Sequence, residues 1–275
     1  MITFLYGACG SGKTTEVMER IRKDTENGIH TFLIVPDQEA VSAERLTLHT
    51  LPPASQLVLE VLSFSRLYNR VCREYGGLSY RYMTRPIRSL LMWKNLRELA
   101  PMLEVYGTLA ESDPSLSDLM LSGIGECKSC GITPDMLEHA AAKLESGSPL
   151  AARLRDLALI YASFDRLTAE QYSDSADDLS RLYRVLSEHD FFAGTHVYID
   201  SFTSFTAMEQ KVIGRIFAQA EDTTVTIPLS APDSEALDGE SVRRSLDVLR
   251  HAALLCGKPC EQTLGKNRRA TTPAL

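Results

Sequence analysis

Residues Gly7-Ala8-Cys9-Gly10-Ser11-Gly12-Lys13-Thr14 set three glycines, a lysine and a hydroxyl in the spacing G-x-x-x-x-G-K-[ST]. Glycine allows backbone dihedrals and a close approach that a side chain forbids. Successive backbone N–H groups and the start of a following helix can then face phosphate oxygens. In such a loop Lys13 reaches the β- and γ-phosphates of a nucleotide and Thr14 ligates Mg²⁺. All eight residues are therefore candidate nucleotide contacts. The apolar run Ile2–Tyr6 precedes the loop and an amphipathic stretch follows it, which is the strand–loop–helix setting this chemistry needs. Cys9 reads as a small loop residue, since a catalytic thiol requires a base and no histidine can be assigned to it.

A nucleotide site of this kind draws a second metal contact from a carboxylate at the end of an apolar strand. "HVYID" supplies one, with Val197 and Ile199 alternating into a sheet before Asp200. Asp165 and Asp174 lie within or between helical stretches and fit worse. Enzymes that hydrolyse the nucleotide usually follow the aspartate with a glutamate that orients the attacking water. Here Ser201 follows, and serine cannot act as a carboxylate base; such help is worth about 10²–10⁴ in rate. Glu209 is too far along the next helix to substitute well. Binding with weak or no turnover is the expectation.

The elements that must position these residues follow from periodicity. Strands are expected over 2–6, 30–35 and 56–61, alternating with helices from Gly12 to about Asn27, over 38–49, and after Ser63 as cap. This β-loop-α-β-α rhythm indicates the α/β class with a parallel sheet. From about 84 to 190 no strand is expected, only helical stretches punctuated by Gly and Pro. Strand patterns return at 195–200 and 223–230, with a helix between. The expected organisation is a first α/β part over 1–80, an all-helical insertion over 81–192, and a return to the α/β domain over 193–275. The tail "GKNRRATTPAL" shows no closing element and reads as a chain cut mid-protein.

Composition narrows the class. With 275 residues, 44% of them hydrophobic, the chain can bury a sizeable core. No apolar run reaches the roughly 18 residues that span a bilayer, and no basic segment precedes "MITFLYG" as in a signal peptide, so a cytoplasmic protein with no membrane partner is expected. The pairs Cys127/Cys130 and Cys256/Cys260 have ligand-like spacing but no histidine close by, so they read as reduced thiols.

The net charge of −7 argues against indiscriminate coating of nucleic acid. Yet residues 66–97 hold eight basic residues against the single Glu74, leaving −14 on the remainder. Arg66, Arg70 and Arg73 recur at i, i+4, i+7, as do Arg81, Arg85 and Arg88, so each set would line one helix face, although Pro86 interrupts the second. Tyr68, Tyr75, Tyr80, Tyr82 and Trp93 are interleaved with them. Arginine for phosphates and aromatics for stacked bases is the equipment of single-strand binding; a solvated face over core aromatics is the alternative reading.

The segments "FLYGACGSGKT", "LIVPDQEAVSAERL", "VLSFSRLYNRV" and "YIDSFTSFTAMEQKVI" together resemble the N-terminal part of the AddB family, also called RexB, the B subunits of AddAB helicase–nucleases. More distantly they are similar to superfamily 1 helicases of the UvrD/RecB type. The specific match covers residues 1–75 and 195–230. The resemblance implies a RecA-like P-loop domain with a helical insertion, ATP and Mg²⁺ as cofactors, and single-stranded or duplex DNA ends as substrate. Ser63, Phe64, Arg66, Arg70 and Arg73 become candidate DNA contacts. It also implies a heterodimer with an A subunit, a contribution to Chi recognition in recombinational repair, and little unwinding by the B subunit itself. The second motor domain and the nuclease domain with its iron–sulfur cluster would lie beyond residue 275, so the six cysteines are not read as cluster ligands and no catalytic residue is assigned. There is no room before Gly7 for an adenine-reading glutamine motif. A small-molecule or nucleoside kinase and a scaffold with a vestigial loop remain the competing classes.

Overall fold

The computed structural model describes residues 1–8, 10–76, 81–145, 147–169, 172–173, 175–230 and 240–265. It divides into two compact units, one of Met1–Tyr75 with Leu182–Leu275 and the other of Gly76–Arg181.

The first unit runs β1 (Ile2–Tyr6), α1 (Lys13–Glu26), β2 (Thr31–Ile34), α2 (Ala40–Thr50), β3 (Leu59–Leu62) and α3 (Phe64–Tyr75). The second unit holds β4 (Arg81–Tyr82), α4 (Arg85–Leu99), α5 (Gly107–Ser112), α6 (Leu116–Cys130), α7 (Pro134–Ala142), α8 (Pro149–Ala169), β5 (Tyr172–Ser173) and the start of α9 (Asp178–Glu188). The chain re-enters the first unit within α9 and completes it with β6 (His196–Ile199), α10 (Ala207–Gln219), β7 (Asp222–Ile227), α11 (Glu240–Leu255) and β8 (Cys260–Leu264).

Six strands form one sheet in the order β3-β2-β6-β7-β1-β8, every neighbouring pair parallel. The α/β expectation holds. Parallel sheets are covered on both faces, so their central strands are apolar throughout; every residue of β1 and β2 is buried. Alternation along β1 sends neighbours to opposite faces. Leu5 packs with Val17 and Ile21 of α1, while the Phe4 ring meets Phe217 of α10 edge-on at 6.2 Å.

The second unit is helical around a core of Met92, Leu96, Ile124, Ile160 and Phe164, each at most 1% exposed. Buried Asp156 ties a loop to this core by accepting from the backbone N–H groups of Glu104, Val105 and Tyr106 at 2.8–3.1 Å. Lys128, 3% exposed, is ion-paired with Asp165 at 2.9 Å and Asp177 at 2.6 Å.

Several boundaries depart from the periodicity. A two-residue parallel bridge joins β4 to β5, within the stretch where only helix was expected; such short pairings follow from chain crossing and carry no alternation to read. The turn α5 was not anticipated. The larger addition lies between residue 230 and the tail, where no element was assigned: α11 and β8 supply a helix and a sixth strand, while the tail beyond Gly265 lies outside the described residues. Ser245, Leu246, Leu249 and Ala253 form the buried stripe of α11, a 3.6-residue pattern visible in "RRSLDVLRHAALL". β8 had no apolar signal, since four of its five residues are exposed. No helix among the described residues is long and apolar enough to cross a membrane.

Candidate functional site

In a parallel sheet all carboxyl ends share one edge, and ligands of open α/β sheets bind there. β1 leads at that edge into the glycine-rich loop, and β6 leads there into Asp200. One strand, β7, lies between them. The two strands are therefore roughly 10 Å apart, at about 4.8 Å per step.

The loop's form depends on its glycines. Gly10 and Gly12 adopt φ of 77° and 89°, left-handed values that burden other residues, and Gly12 is the N-cap of α1. Gly7 matters by size: a Cβ there would stand 2.1 Å from Ser11 Oγ and 3.0 Å from Lys13 Cγ, so both side chains would have to move. That Ser11 hydroxyl is buried and finds no hydrogen-bond partner among the described residues. Lys13 Nζ curls back and donates to the carbonyls of Gly7 at 2.6 Å and Ala8 at 2.9 Å. Thr14 occupies the first turn of α1 beside it. A glycine-framed loop with an unmet buried hydroxyl, a lysine and a helix start is a donor set suited to phosphate. Cys9 lies outside the described residues, as does Asp174.

Asp200 is 3% exposed. Its backbone N–H donates to Ile34 O at 3.0 Å, locking it beside β2. Its Oδ1 accepts from Thr226 Oγ1 at 2.6 Å. Thr226 was not singled out from sequence, because a threonine in a strand is ordinary and only the β6–β7 pairing brings it to the carboxylate. Asp165, the poorer alternative, is engaged with Lys128 in the other unit.

Ser201 follows Asp200 with φ 68°, the only left-handed non-glycine residue among those described. Such strain concentrates at functional turns. Glu209 accepts from the Thr206 backbone N–H at 2.7 Å in a capping box that starts α10. Burial pushes its pKa above the ordinary carboxylate value, the Thr206 hydrogen bonds oppose this, and Asp37 adds to it.

Ser201 and Glu209 also line a cavity of about 390 Å³ at the carboxyl ends of β2 and β6. Its walls include Asp37, Gln38, Glu39, Phe64 and Phe202. Phe202 stacks on Phe205 at 4.8 Å and meets Phe64 edge-on at 5.6 Å. Ser65 Oγ donates to Asp37 at 3.2 Å.

The proposed DNA contacts are dispersed by this geometry. Ser63 is buried and its hydroxyl accepts from Arg66 N at 3.4 Å, as a helix cap does. Phe64 is 6% exposed and meets the cavity with what remains. Arg66, Arg70 and Arg73 share one side of α3, opposite the buried Leu67, Tyr68, Val71 and Cys72. Arg66 is ion-paired with Glu44. Arg70 bonds Glu60 at 3.0 Å and Glu74 at 2.8 Å and lies over the Phe191 ring. Its pKa is raised, led by the Glu74 bond. Arg73 is exposed. Tyr68 is core, and Tyr75 stacks on His189 at 4.2 Å. Arg85 is exposed and Arg88 half-buried in the second unit, where Arg97 lies over Trp93; Tyr80 and the side chains of Arg81 and Tyr82 lie outside the described part of the chain.

A family model described as "ADDB, N-terminal" matches residues 4–247. The B subunit of the ATP-dependent helicase/deoxyribonuclease of Acetivibrio thermocellus is 29% identical over 273 residues, 98% of this chain and 24% of that protein. Proteins of the same name from Caldanaerobacter subterraneus and Thermoanaerobacter sp. are 34% and 32% identical, over 86% and 83% of this chain and 20% of theirs. The chain thus spans about a fifth to a quarter of the length of these relatives.

Proposed function

The chain belongs to the ADDB N-terminal family, and from that premise we propose that it is the nucleotide- and DNA-engaging part of a helicase/deoxyribonuclease B subunit. The observation that carries this reading is the placement of the Gly7–Thr14 loop and buried Asp200 on one edge of a parallel sheet, a single strand apart. Backbone N–H groups of the loop, Lys13 and Ser11 would hold the phosphates of ATP. Thr14 and, through water, Asp200 would hold Mg²⁺, which screens the phosphate charge when bound. The roughly 10 Å between the strands suits a hydrated ion between the two side chains. The domain is read as RecA-like, with the Gly76–Arg181 unit as its helical insertion.

Turnover is proposed to be weak or absent. Ser201 offers no carboxylate beside Asp200, and Glu209 is held in the capping box by the Thr206 N–H. Unwinding is accordingly assigned to a partner A subunit, and the protein's place to the cytoplasm.

Single-stranded DNA is proposed to cross the same edge of the sheet, with Arg73 and the exposed side of α3 on the backbone. The cavity beside Phe64 and Phe202 suits a base better than a phosphate. Its carboxylates repel phosphate, but Asp37, Glu39 and Gln38 can bond exocyclic amino and ring groups of a base while the aromatics pack against it. Such a pocket supports a role in reading a Chi sequence. Lys13→Ala separates this reading from a vestigial loop: ATP affinity should collapse while the fold persists, and equal affinity would refute the nucleotide assignment. Phosphate release at a rate of about 1–10³ s⁻¹ in the presence of single-stranded DNA would refute the assignment of weak turnover.

A further inference from the structure

β8 does little for the core. Four of its five residues are exposed, and it occupies the edge of the sheet. What it does achieve is position. It runs parallel to β1 with Leu264 opposite Tyr6, so its last residue comes level with the start of the glycine-rich loop. There the Gly265 N–H donates to Tyr6 O at 2.7 Å. The strand is also tied to its neighbours, because Arg250 of α11 donates to Tyr6 Oη at 2.8 Å and Gln262 Oε1 at 3.3 Å.

This registration leaves little room for a side chain at 265. A Cβ would sit 3.2 Å from Tyr6 O, 3.4 Å from Lys13 Cγ and 3.7 Å from Ser11 Oγ. The first contact is to backbone that cannot turn away. The second is to the stem of the lysine whose ammonium now rests on the Gly7 and Ala8 carbonyls. To reach a phosphate, the ammonium would have to leave those carbonyls, and the stem that carries it lies alongside residue 265.

We propose that Gly265 is a positioning residue for Lys13, its missing side chain leaving the lysine stem free to swing from the loop carbonyls to the terminal phosphates of a nucleotide. The proposal rests on the nucleotide reading of the loop. It makes a demand that simple loosening of the fold does not: because Lys13 serves the β- and γ-phosphates, harm at 265 must grow with the number of phosphates.

The test titrates the purified chain with ATP, ADP and AMP in the presence of Mg²⁺, as wild type, Gly265→Ala, Gly265→Val and Lys13→Ala, with thermal midpoints recorded alongside. Gly265→Val is expected to weaken ATP by about tenfold, within the usual cost of overpacking, ADP by less and AMP scarcely, with Gly265→Ala between it and wild type. If valine prevents folding, alanine decides on the same ladder, since a shift of a few tenths of an ångström accommodates its methyl group. Unchanged ATP affinity at 265 alongside its collapse in Lys13→Ala overturns the proposal and leaves the nucleotide reading standing. An equal loss for all three nucleotides also overturns it. ATP binding that is undetectable in wild type, or indifferent to Lys13→Ala, overturns the nucleotide reading itself.

Discussion

Thr226→Val isolates the support under Asp200. Valine matches threonine in shape, so the change removes a hydroxyl and little else. In the native fold that hydroxyl donates to Asp200 Oδ1 at 2.6 Å, and the residue is only 3% exposed, so solvent offers that oxygen little in its place. A hydrogen bond to a charged group is worth about 1.5–3 kcal/mol, and stranding its buried partner is the expensive half of the loss. Thermal midpoints move about 2–4 °C per kcal/mol in domains of 150–250 residues, so a fall of roughly 3–12 °C is expected. A double-mutant cycle with Asp200→Ala, followed by calorimetry or denaturant unfolding, assigns the effect. Once the carboxylate is gone the hydroxyl has nothing to satisfy, so Thr226→Val should cost at least about 1 kcal/mol less in the Asp200→Ala background. On the nucleotide reading, stabilisation by Mg²⁺ with ATP should shrink in the Thr226→Val single mutant and shrink further where Asp200 is replaced. A cycle whose two limbs are equal would show that Asp200 does not depend on Thr226, and the account of how the site is built would be wrong.

Other outcomes are expected on the same grounds. Asp156→Ala strands three backbone N–H groups and should destabilise the Gly76–Arg181 unit by about 3 kcal/mol or more, read as early loss of protection in hydrogen exchange there. Glu209 has a folded pKa raised chiefly by burial. A raised carboxyl contributes stability that is fully present below its unfolded pKa and is lost as pH rises through the folded one. Glu209→Gln, which can keep the cap, should therefore gain on wild type as pH climbs above about 4.5, and parallel stability–pH curves would refute this. Arg73→Glu should weaken single-stranded DNA binding and flatten its salt dependence by about 0.7 for each phosphate it ceases to neutralise, with the thermal midpoint unchanged. Arg70→Glu should lower the midpoint as well, because Arg70 joins Glu60, Glu74 and Phe191.

The glycine-rich loop, the first three strand–helix repeats and Asp200 at the end of an apolar strand were all legible in the chain. These depend on local rules: uninterrupted apolar runs for buried parallel strands, a 3.6-residue stripe for their covering helices, and a spacing of glycines, lysine and hydroxyl that suits a phosphate. The arginines of α3 were legible as a helix face but not as a free one. Glu44 and Glu60, which engage Arg66 and Arg70, come from other elements and reach them only through packing. Phe64 likewise offered an aromatic without saying whether it met solvent, core or cavity; the turn carrying Phe202 settled that.

Sequence alone determined which residues could hold a phosphate and a metal, because backbone freedom, charge and hydroxyl chemistry belong to the residue types themselves. Tertiary structure decided their neighbours. Thr226 reaches Asp200 because β7 lies between β6 and β1, and Gly265 borders Lys13 because a polar edge strand pairs with β1. Strand order and register arise from long-range pairing, which leaves no mark on the spacing of residues along the chain.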